Sequence, residues 1–204
     1  MFTGIIQLST PVICINKKDN FLTLSIKLTK NLLNNLIVGA SIAINGCCLT
    51  VTVINNNIIS FDVIKETLYC TNLKFLKIGD IVNVERSMNL NKEIGGHLVS
   101  GHIHGLGKII NIINLNNNKI IWFNVKNKLI KFILPKGFIS IDGISLTIGR
   151  IINNNFCVHL IPETLRCTNL KNRKLFDFVN IEIDYQTKTI ISTVEKFMQS
   201  KISN

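Results

Sequence analysis

From Gly39 to Thr52 the chain alternates apolar and small polar positions: Gly-Ala-Ser-Ile-Ala-Ile-Asn-Gly-Cys-Cys-Leu-Thr-Val-Thr. Two β-rich runs meet at Asn45-Gly46, the pair favoured in a two-residue hairpin turn because both positions take φ > 0. That turn sets Ile44 opposite Cys47, Ala43 opposite Cys48, Ile42 opposite Leu49 and Ser41 opposite Thr50. Side chains alternate faces along a strand, so Ile42, Ile44, Leu49 and Val51 form one apolar face. Ser41, Ala43, Cys48 and Thr50 form the other. It is small and polar, and suited to holding a ligand.

The same alternation returns in Phe138-Ile-Ser-Ile-Asp-Gly-Ile-Ser-Leu-Thr147, with Asp142-Gly143 in the turn. The offset of 97 residues that carries Asn45 to Asp142 also carries Cys48 to Ser145 and Thr50 to Thr147. At that offset Glu66-Thr-Leu-Tyr-Cys-Thr-Asn-Leu73 meets Glu163-Thr-Leu-Arg-Cys-Thr-Asn-Leu170, and Val82-Asn-Val-Glu85 meets Val179-Asn-Ile-Glu182. Thr3-Gly-Ile-Ile6 likewise meets Ser100-Gly-His-Ile103. No gap breaks the register. The chain is a tandem duplication of a module of roughly 90 to 100 residues, long enough for its own core.

In the first copy, residues 4–8, 12–15 and 21–27 read as strands and 30–36 as a short helix. The hairpin spans 39–53, a strand follows at 58–64, a helical turn at 73–76 and a closing strand at 81–85. Short strands separated by polar turns such as Asn55-Asn-Asn57 predict a small antiparallel barrel, with Greek-key pairing allowed, rather than βαβ units. Residues 87–96 form the boundary, and the second copy repeats the layout through about Asp184. Beyond about Thr187 the period changes. Ile190, Ile191, Val194, Phe197, Met198 and Ile202 recur at helical spacing, with Lys188, Glu195, Lys196 and Lys201 between them. This predicts an amphipathic helix of about four turns, with no copy in the first half. It packs either on its own barrels or on copies of itself. The second use is preferred, because the duplicated modules have cores of their own.

The apolar fraction of 47% supplies those cores. No uninterrupted apolar run reaches the ~18 residues of a membrane-spanning helix. Met1-Phe-Thr-Gly lacks the basic and long apolar regions of a signal peptide, so a cytoplasmic location is expected. The cysteines at 14, 47, 48, 70, 157 and 167 show no C-x-x-C spacing, and free buried thiols are expected rather than disulfides. A formal charge of +11 invites a nucleic-acid reading. The lysines, however, are scattered among Asn and Ile without interleaved aromatics or an arginine cluster. Neither nucleic acid nor membrane is expected as a partner.

His97, His102 and His104 fall in one strand-like segment, residues 95–105, and alternation puts His102 and His104 on one face. A metal site needs three or four convergent ligands, and no Asp, Glu or Cys stands at useful spacing, so none is expected. These histidines are either structural or, beside a glycine that permits close approach, used in ligand binding or proton transfer. Cys48 is either a nucleophile or a pocket wall. No base stands at a fixed spacing and its copy is Ser145, which favours the wall. Glu66 and Glu163 are either paired acids or residues that turn the chain. Two copies of one weakly charged polar pocket suit an uncharged heterocycle with a polyol arm, and two similar ligands per chain.

Met1-Phe-Thr-Gly-Ile-Ile, Asn45-Gly-Cys-Cys-Leu-Thr, Glu66-Thr-Leu, Gly95-Gly-His-Leu-Val-Ser-Gly-His, Lys136-Gly, Asp142-Gly-Ile-Ser-Leu-Thr and Ile161-Pro-Glu-Thr-Leu together resemble the riboflavin synthase α-chain family. The likeness runs from residue 1 to about 195. It implies an all-β chain of two tandem six-stranded Greek-key β-barrels, residues 1–94 and 95–186, each binding a lumazine. Residues 187–204 would form a helix and tail at the axis of a homotrimer. The implied reaction is dismutation of two 6,7-dimethyl-8-ribityllumazine molecules by transfer of a four-carbon unit. It gives riboflavin and 5-amino-6-ribitylamino-uracil without metal or redox cofactor. Lumazine synthase is a candidate partner. One lumazine would sit on an N-terminal barrel and the other on the C-terminal barrel of a neighbouring chain.

Carried over by position, the first pocket comprises Gly4, Ile5, Ile6, Ser41, Cys48, Leu49, Thr50, Asp62, Val63, Ile64, Lys65, Glu66 and Thr67. The second comprises Gly101, His102, Ile103, Lys136, Ser145, Leu146, Thr147, His159, Leu160, Ile161, Pro162, Glu163 and Thr164. The resemblance makes His102, with His97 close by, the expected proton-transfer residue. Ser41, Cys48, Ser145 and Thr147 would steady ring and adduct through hydrogen bonds. The alternative is a non-catalytic lumazine- or flavin-binding protein on the same fold. Such a binder would have one pocket spoiled, whereas both copies here keep Ser/Cys-Leu-Thr and Glu-Thr-Leu.

Overall fold

The computed structural model describes residues 1–89 and 93–202, so part of the expected boundary lies outside the described residues. The first copy forms β1 (Leu8–Lys17), β2 (Phe21–Lys27), β3 (Ser41–Ile44), β4 (Cys47–Asn55), β5 (Ile58–Ile64) and β6 (Ile81–Arg86). The second forms β7 (Gly105–Asn114), β8 (Lys119–Asn124), β9 (Phe138–Ile141), β10 (Ile144–Ile152), β11 (Asn155–Leu160) and β12 (Phe178–Ile183). Each set closes into an antiparallel six-stranded barrel, in the order β1-β2-β5-β4-β3-β6 and, equivalently, β7-β8-β11-β10-β9-β12. Closure removes the exposed sheet edges that so short a module would otherwise carry. Four short helices, α1 (Lys30–Leu33), α2 (Lys65–Cys70), α3 (Asn127–Ile130) and α4 (Pro162–Cys167), lie in the connections between strands.

The central hairpin has the expected register, Ser41 with Thr50, Ile42 with Leu49, Ala43 with Cys48 and Ile44 with Cys47. Asn45 and Gly46 have φ of 46° and 76°, and Asp142 and Gly143 have 46° and 84°. Positive φ at both central positions matches the turn to the twist of the strands. Ile42, Ile44, Leu49 and Val51 lie inside the first barrel with Leu24, Ile59, Phe61 and Val84. Their counterparts Ile139, Ile141, Leu146 and Ile148 join Ile121, Phe123, Phe156 and Ile181 inside the second. Each such side chain stabilises the fold by about 1.5–3 kcal/mol relative to exposure.

Several expectations meet a different outcome. The first strand begins at Leu8, because Gly4 turns the chain with φ 77°. The histidine segment is not a strand. Apart from one bridge, Val99 to Phe2, pairing starts at Gly105, so strand alternation does not govern His102 and His104. Glu66 and Glu163 sit in the first turns of α2 and α4, where acidic groups suit the helix dipole. All six cysteines are free, but Cys14 and Cys70 are exposed rather than buried.

The two hairpin turns meet back to back: a Cβ on Gly46 would fall 2.5 Å from the Gly143 nitrogen. Around them repeat-related polar residues interlock. Asn83 Nδ2 donates to Asp142 O at 2.9 Å, and Asn180 Nδ2 to Asn45 O at 2.8 Å. Asn72 and Asn169 each donate to the Asp142 carboxylate, at 2.8 and 3.1 Å. Buried amides need partners, and these satisfy one another across the two barrels.

The C-terminal helix α5 (Tyr185–Ile202) begins two residues before the expected start, where Asp184 Oδ2 accepts from Thr187 N and Oγ1 at 2.9 and 2.7 Å. It touches its own chain through Lys188 with His104 and through the Glu195–Lys131 pair. Ile190, Val194, Phe197 and Met198 are more than half exposed. Among the described residues, no helix is long and apolar enough to cross a membrane.

Candidate functional site

The segment that leads into each barrel crosses to the other barrel. Glu85, at the end of β6, holds the first arm: Thr3 N and Oγ1 donate to its Oε1, both at 2.7 Å, and Gly4 N to its Oε2 at 3.0 Å. So held, Gly4 O accepts from Ser145 N at 2.8 Å, and Ile6 packs on the core of the second barrel. Glu182, at the end of β12, holds the second arm through Ser100 N and Oγ, both at 2.7 Å, and Gly101 N at 3.1 Å. Gly101 O accepts from Cys48 N at 2.9 Å, and Ile103 packs on the core of the first barrel. Only glycine fits at either contact. A Cβ on Gly4 would stand 2.5 Å from Ser145 Cβ, and one on Gly101 2.5 Å from Cys48 Cβ.

This corrects the grouping of the two pockets. Gly4, Ile5 and Ile6 lie with Ser145, and Gly101, His102 and Ile103 lie with Cys48. The first polar wall therefore combines Ser41, Cys48 and Thr50 with the arm of the second copy. The second wall combines Ser145 and Thr147 with the arm of the first. The glutamate clasps escaped the sequence reading. Their one signal was a glutamate next to last in the closing strand of both copies, at positions related by the 97-residue offset.

The histidines divide as well. His97 is buried, its Nδ1 lies 2.7 Å from Ser145 Oγ, and its ring stacks on Phe138 at 5.2 Å between centroids. Burial lowers its pKa, against a smaller opposing pull from Asp184. His102 is exposed on the other arm, with Nδ1 3.0 Å from Ser100 Oγ. His97 is therefore not beside His102 but on the opposite wall. His104 belongs to neither wall. Ile183 N lies 3.2 Å from its Nδ1 and Lys188 Nζ 2.9 Å from its Nε2.

The neutral form of Cys47 is strongly favoured, since burial pushes its pKa up to about 12. Leu49, Val63, Leu146 and Leu160 turn their side chains into the barrel cores, so they can meet a ligand only through the backbone. Asp62 accepts from Thr23 Oγ1 at 2.8 Å, while Ile64, Lys65 and Glu66 are exposed, and Thr67 O accepts from Thr71 Oγ1 at 2.6 Å. On the second barrel His159, Ile161, Pro162 and Glu163 are exposed, and Thr164 O accepts from Thr168 Oγ1 at 2.6 Å. Hydrogen bonds from Arg166 and Cys167 lower the pKa of Glu163 to about 2. Lys136 is exposed and has φ 66°, where the first copy uses Gly39. Left-handed backbone disfavours a residue with a Cβ, a strain that Lys136 carries and Gly39 avoids. Among the described residues, no three His, Cys, Asp or Glu groups are placed to hold a metal ion.

The family described as "Lumazine binding domain" matches the chain twice, over residues 3–87 and 100–184. The chain is 52% identical to riboflavin synthase of Escherichia coli (strain K12) over 202 residues, covering 98% of this chain and 95% of that protein. It is 50% identical to riboflavin synthase of Buchnera aphidicola subsp. Schizaphis graminum over 204 residues, covering 100% and 98%. Among solved structures it resembles LumP complexed with riboflavin, with TM-score 0.85 and 27% identity over 90% of this chain and 100% of that one. LumP complexed with 6,7-dimethyl-8-(1'-D-ribityl) lumazine matches with TM-score 0.82, also at 27% identity.

Proposed function

The chain belongs to the riboflavin synthase family of enzymes built from paired lumazine binding domains, and we propose that it converts two 6,7-dimethyl-8-ribityllumazine molecules to riboflavin and 5-amino-6-ribitylamino-uracil. The observation that carries this reading is the integrity of both ligand walls. Cys48 and Ser145 each keep an amide bonded to an arm glycine, and each arm keeps its buried carboxylate clasp. Two equivalent walls suit two copies of one substrate, whereas a mere binder needs one.

The chemistry asks mainly for orientation. The 7-methyl group of the lumazine is acidic because the ring delocalises the electron pair left when a C–H bond breaks. His102 takes that proton and becomes an imidazolium, and the carbanion attacks the second ring. Holding the rings in reacting geometry supplies roughly 7–11 kcal/mol of the barrier reduction. Ser41, Cys48, Ser145 and Thr147 steady rings and adduct by hydrogen bonds, and Lys136 takes part from its strained turn. The reacting pair forms between the first wall of one chain and the second wall of a neighbour in a homotrimer. The exposed apolar row of α5 supports such self-association.

Incubating the purified chain with the lumazine and following riboflavin by its absorbance and fluorescence tests the reading. One riboflavin should appear per two lumazines consumed. Tight lumazine binding with no riboflavin formed would favour the non-catalytic alternative.

A further inference from the structure

We propose that Glu182, acting through the Ser100 hydroxyl, is a positioning residue that holds His102 as the tautomer protonated on Nδ1, with the lone pair on Nε2. Ser100 Oγ lies 2.7 Å from Glu182 Oε1, 3.0 Å from His102 Nδ1 and 3.2 Å from His102 N. A hydroxyl has one proton to give, and an ionised carboxylate only accepts. If Ser100 gave its proton to His102, its own oxygen would face a carboxylate oxygen at 2.7 Å with no hydrogen between them. The proton therefore goes to Glu182, and Ser100 accepts from both His102 N and His102 Nδ1–H. Among the described residues no protein group bonds His102 Nε2, so that nitrogen is left to accept a proton.

Burial leaves the Glu182 pKa raised on balance, against a smaller opposing pull from Ser100 N, Ser100 Oγ and Gly101 N; the anion follows from where those donors point. A proton on Oε1 would confront the Ser100 N–H, and one on Oε2 would confront the Gly101 N–H. The first copy separates the two duties of this clasp. Glu85 and Thr3 make the same contacts there, but Ile5 stands in the place of His102. Fixing the arm is thus common to both copies, and orienting an imidazole is peculiar to the second arm, which lies on the Cys48 wall.

The inference deepens the reading of His102 as proton acceptor and, in its catalytic consequence, rests on it. The test uses the full chain labelled with ¹⁵N-histidine, with the His102 signals assigned by comparison with His102→Gln. Wild type should show a protonated Nδ1 and an unprotonated Nε2 above the imidazole titration. Ser100→Ala should move His102 toward the Nε2-protonated tautomer and lower kcat about tenfold, less than the ~10²–10⁴-fold of a whole general base because His102 itself is kept, with KM changed less than twofold. Ser100→Thr should restore both, because Thr3 shows that a threonine hydroxyl makes this clasp. Glu182→Gln should act like Ser100→Ala, and if it does not fold the two serine variants still decide. An Nε2-protonated His102 in wild type, or a kcat loss in Ser100→Ala with the tautomer unchanged, would overturn the proposal. If wild type makes no riboflavin, the functional reading fails, whereas the tautomer comparison still upholds or refutes the positioning role.

Discussion

The Cys48 amide donates to the Gly101 carbonyl across 2.9 Å, so a residue of the first barrel finds its partner on the arm that introduces the second. Ser145 and Gly4 repeat the arrangement at 2.8 Å. Neither wall is complete within the module that contributes its hairpin. Duplication has therefore produced two interdependent sites rather than two independent ones.

That dependence predicts unequal costs for two glycines of similar backbone. Gly101 has φ 84° and Gly79 has φ 93°, but a Cβ on Gly101 would stand 2.5 Å from Cys48 Cβ, whereas one on Gly79 would meet nothing within 4 Å. Gly79→Ala should cost only the backbone term, about 1–2 kcal/mol. The second copy already carries Phe176 there, at φ 73°. Gly101→Ala should cost at least about 2 kcal/mol more and abolish turnover, as read by urea unfolding and riboflavin formation. Equal losses from the two variants would show that the arm has room to move off Cys48.

The turn, the register of the hairpin and the strands at 21–27 and 58–64 were legible because each depends on neighbours a few residues away. The crossing of the arms was not. Thr3-Gly-Ile-Ile6 and Ser100-Gly-His-Ile103 are repeat-related, so docking on the same barrel or on the other one satisfies the same local pattern. The separation of His97 from His102 follows from that crossing and was hidden with it. Asn45 reads as a turn residue and Asn83 and Asn180 as polar positions within closing strands, yet these and Asn72 and Asn169 are all buried. Each has at least one partner in the other copy, a pairing that no local period reveals.

One position breaks the symmetry of that network. Asp142 replaces Asn45 and pairs with Arg173 at 2.5 Å, where the first copy has Leu76. Asp142→Asn should cost roughly 2–4 kcal/mol, because it leaves Arg173 without its counter-charge and turns an NH₂ toward the Asn169 amide. Arg173→Leu should also destabilise, since Asp142 is fully buried. The double variant recreates the Asn/Leu pair of the first copy and should cost less than the sum of the singles by about 1–3 kcal/mol. A double-mutant cycle in urea measures this, and strict additivity would mean that the two charges do not stabilise each other.

His104 makes stability depend on acidity. Burial, then the charges of Lys188 and His102, push its pKa from 6.5 down to about 4. A neutral imidazole has one acceptor nitrogen, so it serves either Ile183 N–H or the Lys188 ammonium, and protonation ends both contacts. The unfolded chain takes up this proton near pH 6.5 and the folded chain only near 4. Stability from this group is therefore full above pH 6.5 and lost as the pH falls toward 4, by about 1–3 kcal/mol after allowance for partial exposure. Unfolding midpoints between pH 7 and pH 4 should fall less steeply in His104→Gln than in wild type. Parallel slopes would remove His104 as the source.

The last prediction concerns α5. Lys188 and Glu195 bond it to its own chain, while Ile190, Val194, Phe197 and Met198 are more than half exposed. The barrel cores end with Ile183, and the arms are clasped by Glu85 and Glu182, which both precede the deleted segment, so deleting Thr187 to Asn204 should leave both walls intact. The truncated chain should bind a lumazine at each wall, sediment as a monomer and lose most of its turnover. Raising the protein concentration should recover part of that loss, because association then limits the active fraction. Val194→Lys should reproduce the effect with the helix present, since a charge in the apolar row opposes self-association without shortening the chain. A truncated monomer with full turnover independent of concentration would mean that the two lumazines meet within one chain, and the exposed row of α5 would then need another purpose.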